Sequence, residues 1–277
     1  MNQPQMNDQA RARLGSMMKT WERRKKIAEH LNSITYRVAV YSGKGGVGKT
    51  TVAVNLAVAL AQMGHSVGLL DADIDCPNAD KLLGVTERPR YVDGTLHPPQ
   101  RAGVKTISMA SFQENEDEAI IWRGPMVTNA INQFLELTEW GELEYLVVDL
   151  PPGTSDSPLT IMQTLQLHGF VVVTTPQDLA VLDAKRSINM IKKMNIDILG
   201  VVENMSGDIF GKGGGERLAA DLAVPFLGRL ELSRDFSDIG PDLAVIKHKK
   251  AQRRYQEIAS GMIARAQEVV PAAEIAS

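Results

Sequence analysis

The chain has 277 residues, of which 44% are hydrophobic and 23% are charged, and its formal net charge is −3. This composition is typical of a globular protein and excludes a disordered or fibrous one. The small net charge gives no overall attraction to nucleic acids or membranes, so any such affinity has to be local.

Cysteine usage bounds both the compartment and the metal chemistry. Cys76 is the one cysteine, so no disulfide can form within the chain, which fits a reducing cytosol. One thiol per chain cannot build a four-thiolate cluster site, and a symmetric dimer supplies two thiolates. No signal-peptide core and no apolar run of about 18 residues is visible. We therefore expect a cytoplasmic protein.

Residues 1–34 are expected to form a basic, helical N-terminal extension of a single domain at 35–277. Apolar residues recur there at helical spacing between basic ones. The apolar positions are Leu14, Met17, Trp21, Ala28 and Leu31, and the basic ones are Arg23, Arg24, Lys25 and Lys26. Two interpretations stay open: a helix packed on its own domain or a partner subunit, and a helix bound to a membrane surface.

From residue 35 onward, short apolar runs alternate with amphipathic segments. The predicted strands are 36–41, 67–70, 104–111, 145–148, 170–173 and 198–202, and the predicted helices are 49–63, 125–137, 157–167 and 179–193. Most of the strand runs are continuously apolar, which indicates a parallel sheet covered on both faces. Right-handed crossovers then predict an α/β fold with a doubly wound, mostly parallel sheet between helix layers.

The segment "YSGKGGVGKTT" contains a phosphate-binding motif of the form G-x-x-x-x-G-K-[ST] between a predicted strand and a predicted helix. Glycines let consecutive backbone N–H groups curve around phosphates, and the helix N-terminus adds partial positive charge. Lys49 is expected to reach the β/γ-phosphate oxygens of ATP, with the Thr50 hydroxyl on Mg²⁺. The predicted nucleotide-binding residues are Gly43, Gly45, Gly46, Val47, Gly48, Lys49, Thr50 and Thr51.

Carboxylates follow two of the predicted strands. Asp71 and Asp73 come after 67–70, and Asp149 comes after 145–148. Because ligands gather at the carboxyl ends of parallel strands, we expect all three at the phosphates. Asp71 and Asp149 are assigned to Mg²⁺, and Asp73 to orienting the attacking water. Asp71 or Asp73 alone is also a possible helix cap.

Two further residues complete the predicted site. Gly153, in the segment "LPPGT" after Asp149, is expected to sense the γ-phosphate through its amide. Lys44 is a second lysine in the phosphate loop, and two neighbouring ammonium groups repel unless a polyanion lies between them. We expect Lys44 to reach a nucleotide held by a neighbouring subunit, as an arginine finger supplied in trans does. The alternative is a solvated surface lysine.

The loop with its extra lysine resembles the deviant Walker A motif of the MinD/ParA/nitrogenase-iron-protein superfamily. The segments "DADIDCPNADKLLG", "LVVDLPPGTSD", "GVVENMS" and "IFGKGGGERLA" together resemble Mrp-type ATPases, known as iron–sulfur cluster carriers. This resemblance covers residues 35 to about 245. It implies slow, dimer-dependent ATP hydrolysis with Mg²⁺, a homodimer across the nucleotide, and Asn204 at the adenine edge. It also implies a role in cluster assembly or transfer to apoproteins.

The chain departs from this family at one point. The resemblance implies a C-x-x-C pair after the "NMS" motif, but the text between Ser206 and Ile209 contains no cysteine. Cluster ligation requires soft thiolate donors, so direct ligation here is doubtful. The chain is then either the non-ligating partner of a cysteine-bearing relative, or the holder of an atypical cluster site. Cys76 is interpreted as a residue of the nucleotide switch, with a thiol that is expected to be buried and inert.

An alternative function is a MinD- or ParA-like switch, in which ATP-driven dimerisation creates a surface for a membrane, DNA or a protein. Two features favour it: the basic N-terminal helix, and a second basic cluster near the C-terminus. That cluster comprises Lys247, His248, Lys249, Lys250, Arg253 and Arg254.

Overall fold

The computed structural model describes residues 8–73, 76–112, 124–154 and 156–270. The strands are β1 (Ile34–Tyr41), β2 (Val67–Asp71), β3 (Arg90–Val92), β4 (Thr95–His97), β5 (Gln100–Arg101), β6 (Val104–Ser108), β7 (Leu143–Asp149), β8 (Gly169–Thr174), β9 (Asp197–Ser206) and β10 (Phe226–Glu231). The helices are α1 (Asp8–Asn32), α2 (Lys49–Gln62), α3 (Ala79–Leu83), α4 (Gly124–Leu137), α5 (Asp156–Leu165), α6 (Asp178–Lys193), α7 (Gly214–Asp221), α8 (Ala244–Lys247) and α9 (Lys249–Val269).

One eight-stranded sheet organises these elements, in the order β10-β9-β8-β1-β7-β2-β6-β5. Every neighbouring pair in it is parallel except β5 with β6. β3 and β4 form a separate antiparallel hairpin. The predicted α/β class with a mostly parallel sheet is therefore confirmed.

Two hydrophobic cores lie on opposite faces of this sheet. One contains buried residues of α1, α4, α5, α6 and α7, and the other contains those of α2, α3, α8 and α9. Alternate residues of β1 divide between them: Ala39 and Tyr41 face the first core, whereas Val38 and Val40 face the second. Burial of both faces explains why the strands read as continuous apolar runs.

The N-terminal helix α1 packs on α4 through its last turns. Ile27 and Leu31 are buried in the first core. Arg23 Nε lies 2.9 Å from Glu136 Oε2, and His30 Nδ1 lies 3.0 Å from the Leu135 carbonyl oxygen. Trp21 is 65% exposed. The side chain of Leu14, part of the predicted apolar stripe, lies outside the described residues. Within the described ranges, no helix is long and apolar enough to cross a membrane.

Three differences from the sequence prediction concern the sheet, one of which is that the two-residue edge strand β5 was not predicted. The predicted strand 104–111 ends at Ser108 and continues as a 3₁₀ helix, Met109–Phe112. The edge strand β10 was not predicted, because its sequence FLGRLE mixes apolar and polar residues and it pairs only with β9. A half-buried edge strand has no continuous apolar run to reveal it.

A buried carboxylate holds the segment between β9 and α7. Glu203 Oε1 accepts hydrogen bonds from Ser206 Oγ (2.6 Å), Gly213 N (2.9 Å) and Arg229 Nε (2.8 Å). Its Oε2 accepts one from Gly215 N at 2.7 Å. Burial alone would raise the pKa of Glu203, but these hydrogen bonds together outweigh it, so the pKa lies below its usual value. Glu203 therefore fixes both ends of the 207–213 loop.

This network predicts the effect of Glu203→Gln. An amide nitrogen in place of either oxygen faces N–H or O–H donors, so we expect a loss of about 2–4 kcal/mol in the free energy of unfolding. A lowered native pKa contributes stability above the unfolded value of 4.5, and that contribution is lost as the pH falls through the native pKa. Urea denaturation at pH 7 and pH 4 measures both effects.

Glu216→Gln is the matched control, since Glu216 also contacts Arg229, at 2.9 Å, but its side chain is 61% exposed. We expect this change to alter the free energy of unfolding by less than about 0.5 kcal/mol. A Glu203→Gln loss as small as that of the control contradicts the network's role. So does a difference between wild type and Glu203→Gln that grows on acidification.

Candidate nucleotide site

The phosphate loop joins β1 to α2, and close contacts explain its glycines. A Cβ on Gly43 would lie 2.3 Å from the backbone oxygen of Asp183, so α6 packs directly on the loop. A Cβ on Gly48 would lie 2.3 Å from Asn204 Nδ2, and Gly48 has a φ of 82°. Any side chain at either position collides with a neighbour or strains the backbone. The loop is therefore held between α6 and the end of β9.

Lys49 is buried at the start of α2 and lies among carboxylates. Its Nζ lies 2.6 Å from Asp149 Oδ1 and 3.7 Å from Asp73 Oδ2. It also lies 3.4 Å from Thr50 Oγ1. The fold thus brings together four residues that the sequence assigned to one site. The two carboxylates offset the positive charge of this buried ammonium group, which lies beside the glycine loop.

The pairing of β2 with β7 places Asp71 directly beside Asp149 in the sheet. Asp71 Oδ1 accepts a hydrogen bond from the backbone N–H of Asp73 at 3.1 Å. Its Oδ2 accepts hydrogen bonds from Ala79 N (2.9 Å) and Ser108 Oγ (3.2 Å). Asp71 therefore connects β2 and β6 to the start of α3, across the segment that carries Asp73.

Burial governs the electrostatics of Asp71 and Asp149. It raises the pKa of Asp71 to about 8, and repulsion from the Asp149 carboxylate adds to the effect. Burial also raises the pKa of Asp149, against the opposing effect of Lys49. Asp149 Oδ2 is buried and has no hydrogen-bond partner among the described residues. An unpartnered carboxylate oxygen close to the Asp71 carboxyl group and the Thr50 hydroxyl fits a Mg²⁺ site, because a hard divalent cation prefers oxygen ligands.

Asn204 lies at the carboxyl end of β9 and contacts the phosphate loop. Its Nδ2 donates a hydrogen bond to the Val47 carbonyl oxygen at 2.9 Å. Asn204 is 8% exposed, so this hydrogen bond to the loop is buried. Its predicted role at the adenine edge stays a prediction.

Gly153 hydrogen-bonds to the residue that precedes the loop, and Lys44 lies within the loop. The Gly153 amide donates to the Ser42 carbonyl oxygen at 3.0 Å, and its φ is 86°. Lys44 is partly exposed, and none of the residues that the structure describes hydrogen-bonds or forms an ion pair with its ammonium group. Gly45 and Gly46 beside it are exposed. The Lys44 ammonium group is thus not held on its own subunit by any of the described residues.

Tyr41, the last residue of β1, also contacts the site, although the sequence did not predict it as a site residue. Its hydroxyl donates a hydrogen bond to the Gly153 carbonyl oxygen. The one signal in the sequence is a tyrosine at the end of the otherwise apolar run VAVY, immediately before the loop.

Cys76 is exposed, contrary to the expected buried thiol, and its backbone N–H donates to Asp73 Oδ1 at 3.3 Å. It therefore lies in the segment that follows β2, beside the nucleotide site, as the sequence placed it. Among the described residues, no group of three or more His, Cys, Asp or Glu side chains is arranged to hold a metal ion.

Comparison with solved structures identifies the architecture. A nucleotide-binding protein from Archaeoglobus fulgidus, solved in complex with ADP, is 32% identical with a TM-score of 0.67, and the match covers 90% of this chain and 94% of that one. The cell division ATPase MinD of Pyrococcus furiosus has a TM-score of 0.65 at 22% identity, covering 83% of this chain and 99% of that one. The second likeness shows the shared fold alone.

Comparison with protein families and curated proteins identifies the group. The family described as NUBPL iron-transfer P-loop NTPase matches residues 33–265. An iron–sulfur cluster carrier protein of Methanocaldococcus jannaschii is 45% identical over 254 residues, which cover 86% of this chain and 87% of that protein. Another from Pseudomonas fragi is 46% identical over 239 residues, covering 80% and 83%. The resemblance drawn from the motifs is thereby confirmed: the chain belongs to the Mrp-type, NUBPL-like family of iron-transfer P-loop NTPases.

Proposed function

We propose that this protein is an ATP-binding and ATP-hydrolysing dimer that acts in the assembly or transfer of iron–sulfur clusters to apoproteins. One observation carries the nucleotide part: the buried Lys49 ammonium lies against Asp149 and near Asp73, at the mouth of a glycine loop. The cargo is supported by the family and by the names of the similar proteins. The two parts of the proposal are tested separately below.

The binding step follows from the loop and from Lys49. Backbone N–H groups of residues 43–50 and the N-terminus of α2 bind the phosphates of ATP. Lys49, which lies against Asp149 here, then turns toward the β- and γ-phosphate oxygens, where a triphosphate offers more negative charge than one carboxylate. When bound, Mg²⁺ offsets the charge of the phosphates, with Thr50, Asp149 and Asp71 as the residues that hold it directly or through water.

The hydrolysis step is assigned to Asp73. Its carboxylate accepts a hydrogen bond from a water molecule and orients the water oxygen toward the γ-phosphorus. The new bond forms between that oxygen and phosphorus while the bond to the β-phosphate oxygen breaks, which gives ADP and phosphate. Lys49 stabilises the negative charge that develops on the transferring group.

Dimerisation is proposed from the position of Lys44. Lys44 is partly exposed and is followed in the loop by the exposed Gly45 and Gly46. A lysine placed there reaches the phosphates of a second copy that faces it across the nucleotide. Because Lys44 adds its stabilisation of the transition-state charge only in the dimer, hydrolysis is slower in a lone subunit.

The cluster is proposed as cargo that other proteins help to ligate. The chain contributes one thiol, Cys76, so a symmetric dimer contributes two, whereas cluster ligation by thiolates requires four. We therefore assign this chain the ATP-driven step. A cysteine-bearing relative or the receiving apoprotein supplies the remaining ligands.

The alternative of a membrane- or DNA-positioning switch gains no support from the C-terminal basic cluster. Lys247 Nζ lies 3.2 Å from Asp242 Oδ1, and Lys250 Nζ lies within ion-pair distance of Glu231. Arg254 pairs with Glu257 at 2.8 Å. These neighbouring carboxylates offset the positive charge that a polyanionic surface would require.

Lys49→Ala tests the nucleotide site. We expect nucleotide affinity to fall by about ten- to a hundredfold and hydrolysis to be lost, because a charge-assisted hydrogen bond contributes about 1.5–3 kcal/mol. Titration calorimetry with ADP and Mg²⁺ measures the affinity, and phosphate release measures turnover. Lys193→Ala, an exposed lysine at the end of α6, is the control. Unchanged binding in Lys49→Ala would refute the site.

Lys44→Ala tests the trans contact. We expect nucleotide affinity to stay within about twofold of wild type while turnover falls on the order of tenfold or more. The nucleotide-dependent dimer is expected to weaken as well, which sedimentation in the presence of a non-hydrolysable ATP analogue measures. Lys193→Ala again serves as the control. Turnover and dimerisation that both match wild type exclude Lys44 from this role.

Iron loading tests the assignment of the cluster as shared cargo. We expect the protein alone, purified without oxygen and incubated with iron and sulfide, to bind far less than about four iron atoms per dimer. Cys76→Ser is expected to change this result little. Iron and labile-sulfide analysis with visible absorption provides the measurement. A stoichiometric cluster that Cys76→Ser abolishes would show instead that the protein ligates its own cargo.

A further inference from the structure

The hydroxyl of Tyr41 joins the end of β1 to the segment after β7. Tyr41 is fully buried, and its hydroxyl donates to the Gly153 carbonyl oxygen. Its ring packs edge-to-face on Phe170, with centroids 6.1 Å apart and planes at 78°. Burial raises the pKa of Tyr41 to about 12, so the hydroxyl keeps its proton and remains a donor throughout the physiological range.

Both polar groups of Gly153 are bound to the residues that precede the phosphate loop. Its carbonyl accepts from Tyr41, and its N–H donates to the Ser42 carbonyl oxygen at 3.0 Å. A Cβ on Gly153 would meet nothing within 4 Å, so space does not require glycine here. The backbone conformation requires glycine instead, because Gly153 has a φ of 86°. A glycine also changes its backbone angles at little cost.

The Tyr41 hydroxyl also connects to α6. The Ser187 side chain lies beside this hydroxyl, and Ser187 Oγ donates to the Asp183 carbonyl oxygen at 3.0 Å. That same carbonyl packs against Gly43 of the phosphate loop. Tyr41 is therefore held in place by α6, and its position relative to the loop is fixed from two sides.

We propose that Tyr41 is a positioning residue through which Gly153 distinguishes ATP from ADP. This inference rests on the proposed function. Tyr41 fixes the Gly153 carbonyl, and the Gly153 amide leaves the Ser42 carbonyl oxygen to donate to the γ-phosphate of ATP. ADP has no such phosphate and leaves the bond between Gly153 and Ser42 intact. With the carbonyl fixed, the rearrangement is confined to the peptide unit that precedes Gly153.

Loss of the hydroxyl affects one nucleotide and not the other. Without the hydrogen bond from Tyr41, Gly153 adopts more backbone conformations. Binding of a triphosphate has to order Gly153 again, because the Gly153 amide donates to the γ-phosphate. Binding of ADP carries no such cost, because ADP does not contact this amide. A neutral hydrogen bond changes an equilibrium constant by about three- to tenfold. The affinity for a triphosphate analogue is expected to fall by that factor in Tyr41→Phe, with the ADP affinity within about twofold of wild type.

The test compares wild type, Tyr41→Phe and Tyr36→Phe. Tyr36 lies on the same strand at the end away from the loop, buried and stacked on Tyr145, and is the matched control. Titration calorimetry with Mg²⁺ gives dissociation constants for ADP and for adenylyl imidodiphosphate, and steady-state assays give kcat and KM for ATP. We expect the ratio of the two dissociation constants, and kcat, to change in Tyr41→Phe alone.

The outcomes separate this inference from the function on which it rests. If wild type binds neither nucleotide, the proposed function fails and the inference fails with it. If wild type binds and hydrolyses ATP but Tyr41→Phe keeps the wild-type ratio, only the inference is overturned. An equal loss of affinity for both nucleotides also overturns it, because a purely structural role weakens the whole site.

A second measurement applies if Tyr41→Phe does not accumulate as folded protein. Wild-type protein carrying 3-fluorotyrosine at position 41 retains the hydroxyl and reports on its surroundings by ¹⁹F NMR. We expect the resonance to shift with adenylyl imidodiphosphate relative to ADP, because the peptide at Gly153 has rearranged. Identical resonances in the two complexes overturn the proposal.

Discussion

The Lys49 ammonium group, buried against Asp149 at 2.6 Å, is the charge around which the nucleotide site is arranged. A lysine without a partner would be costly at this depth, and so would the two carboxylates of Asp71 and Asp149 side by side. The parallel sheet makes the cluster possible because β1, β7 and β2 are neighbours and end at the same edge.

Close backbone contact gives the loop its shape. α6 reaches Gly43 through the Asp183 carbonyl, and β9 reaches Gly48 through Asn204. Each contact requires the absence of a Cβ, so the glycines fit particular neighbours as well as a ligand. The loop is thereby held in its shape by elements from distant parts of the chain.

The segment after β9 shows how a buried carboxylate can organise a loop near that site. Glu203 satisfies the N–H groups of Gly213 and Gly215 and pairs with Arg229, so the chain returns into α7 in a fixed way. This is the segment where the family resemblance led us to expect two cysteines, and the sequence has none there. Family membership and the single thiol of this chain together support the proposal that the chain carries out the ATP-driven step and that other proteins supply most of the cluster ligands.

The sequence by itself determined the parallel α/β sheet, the phosphate loop and the family, because apolar runs and short motifs are local in the chain. It also placed Lys49, Asp71, Asp73 and Asp149 together, since strand ends share an edge. Only the tertiary structure decided that Tyr41 holds Gly153, 112 residues away, and that Asn204 holds Val47, 157 residues away. Those bonds depend on which strands become neighbours and how their helices pack, and no local pattern encodes that.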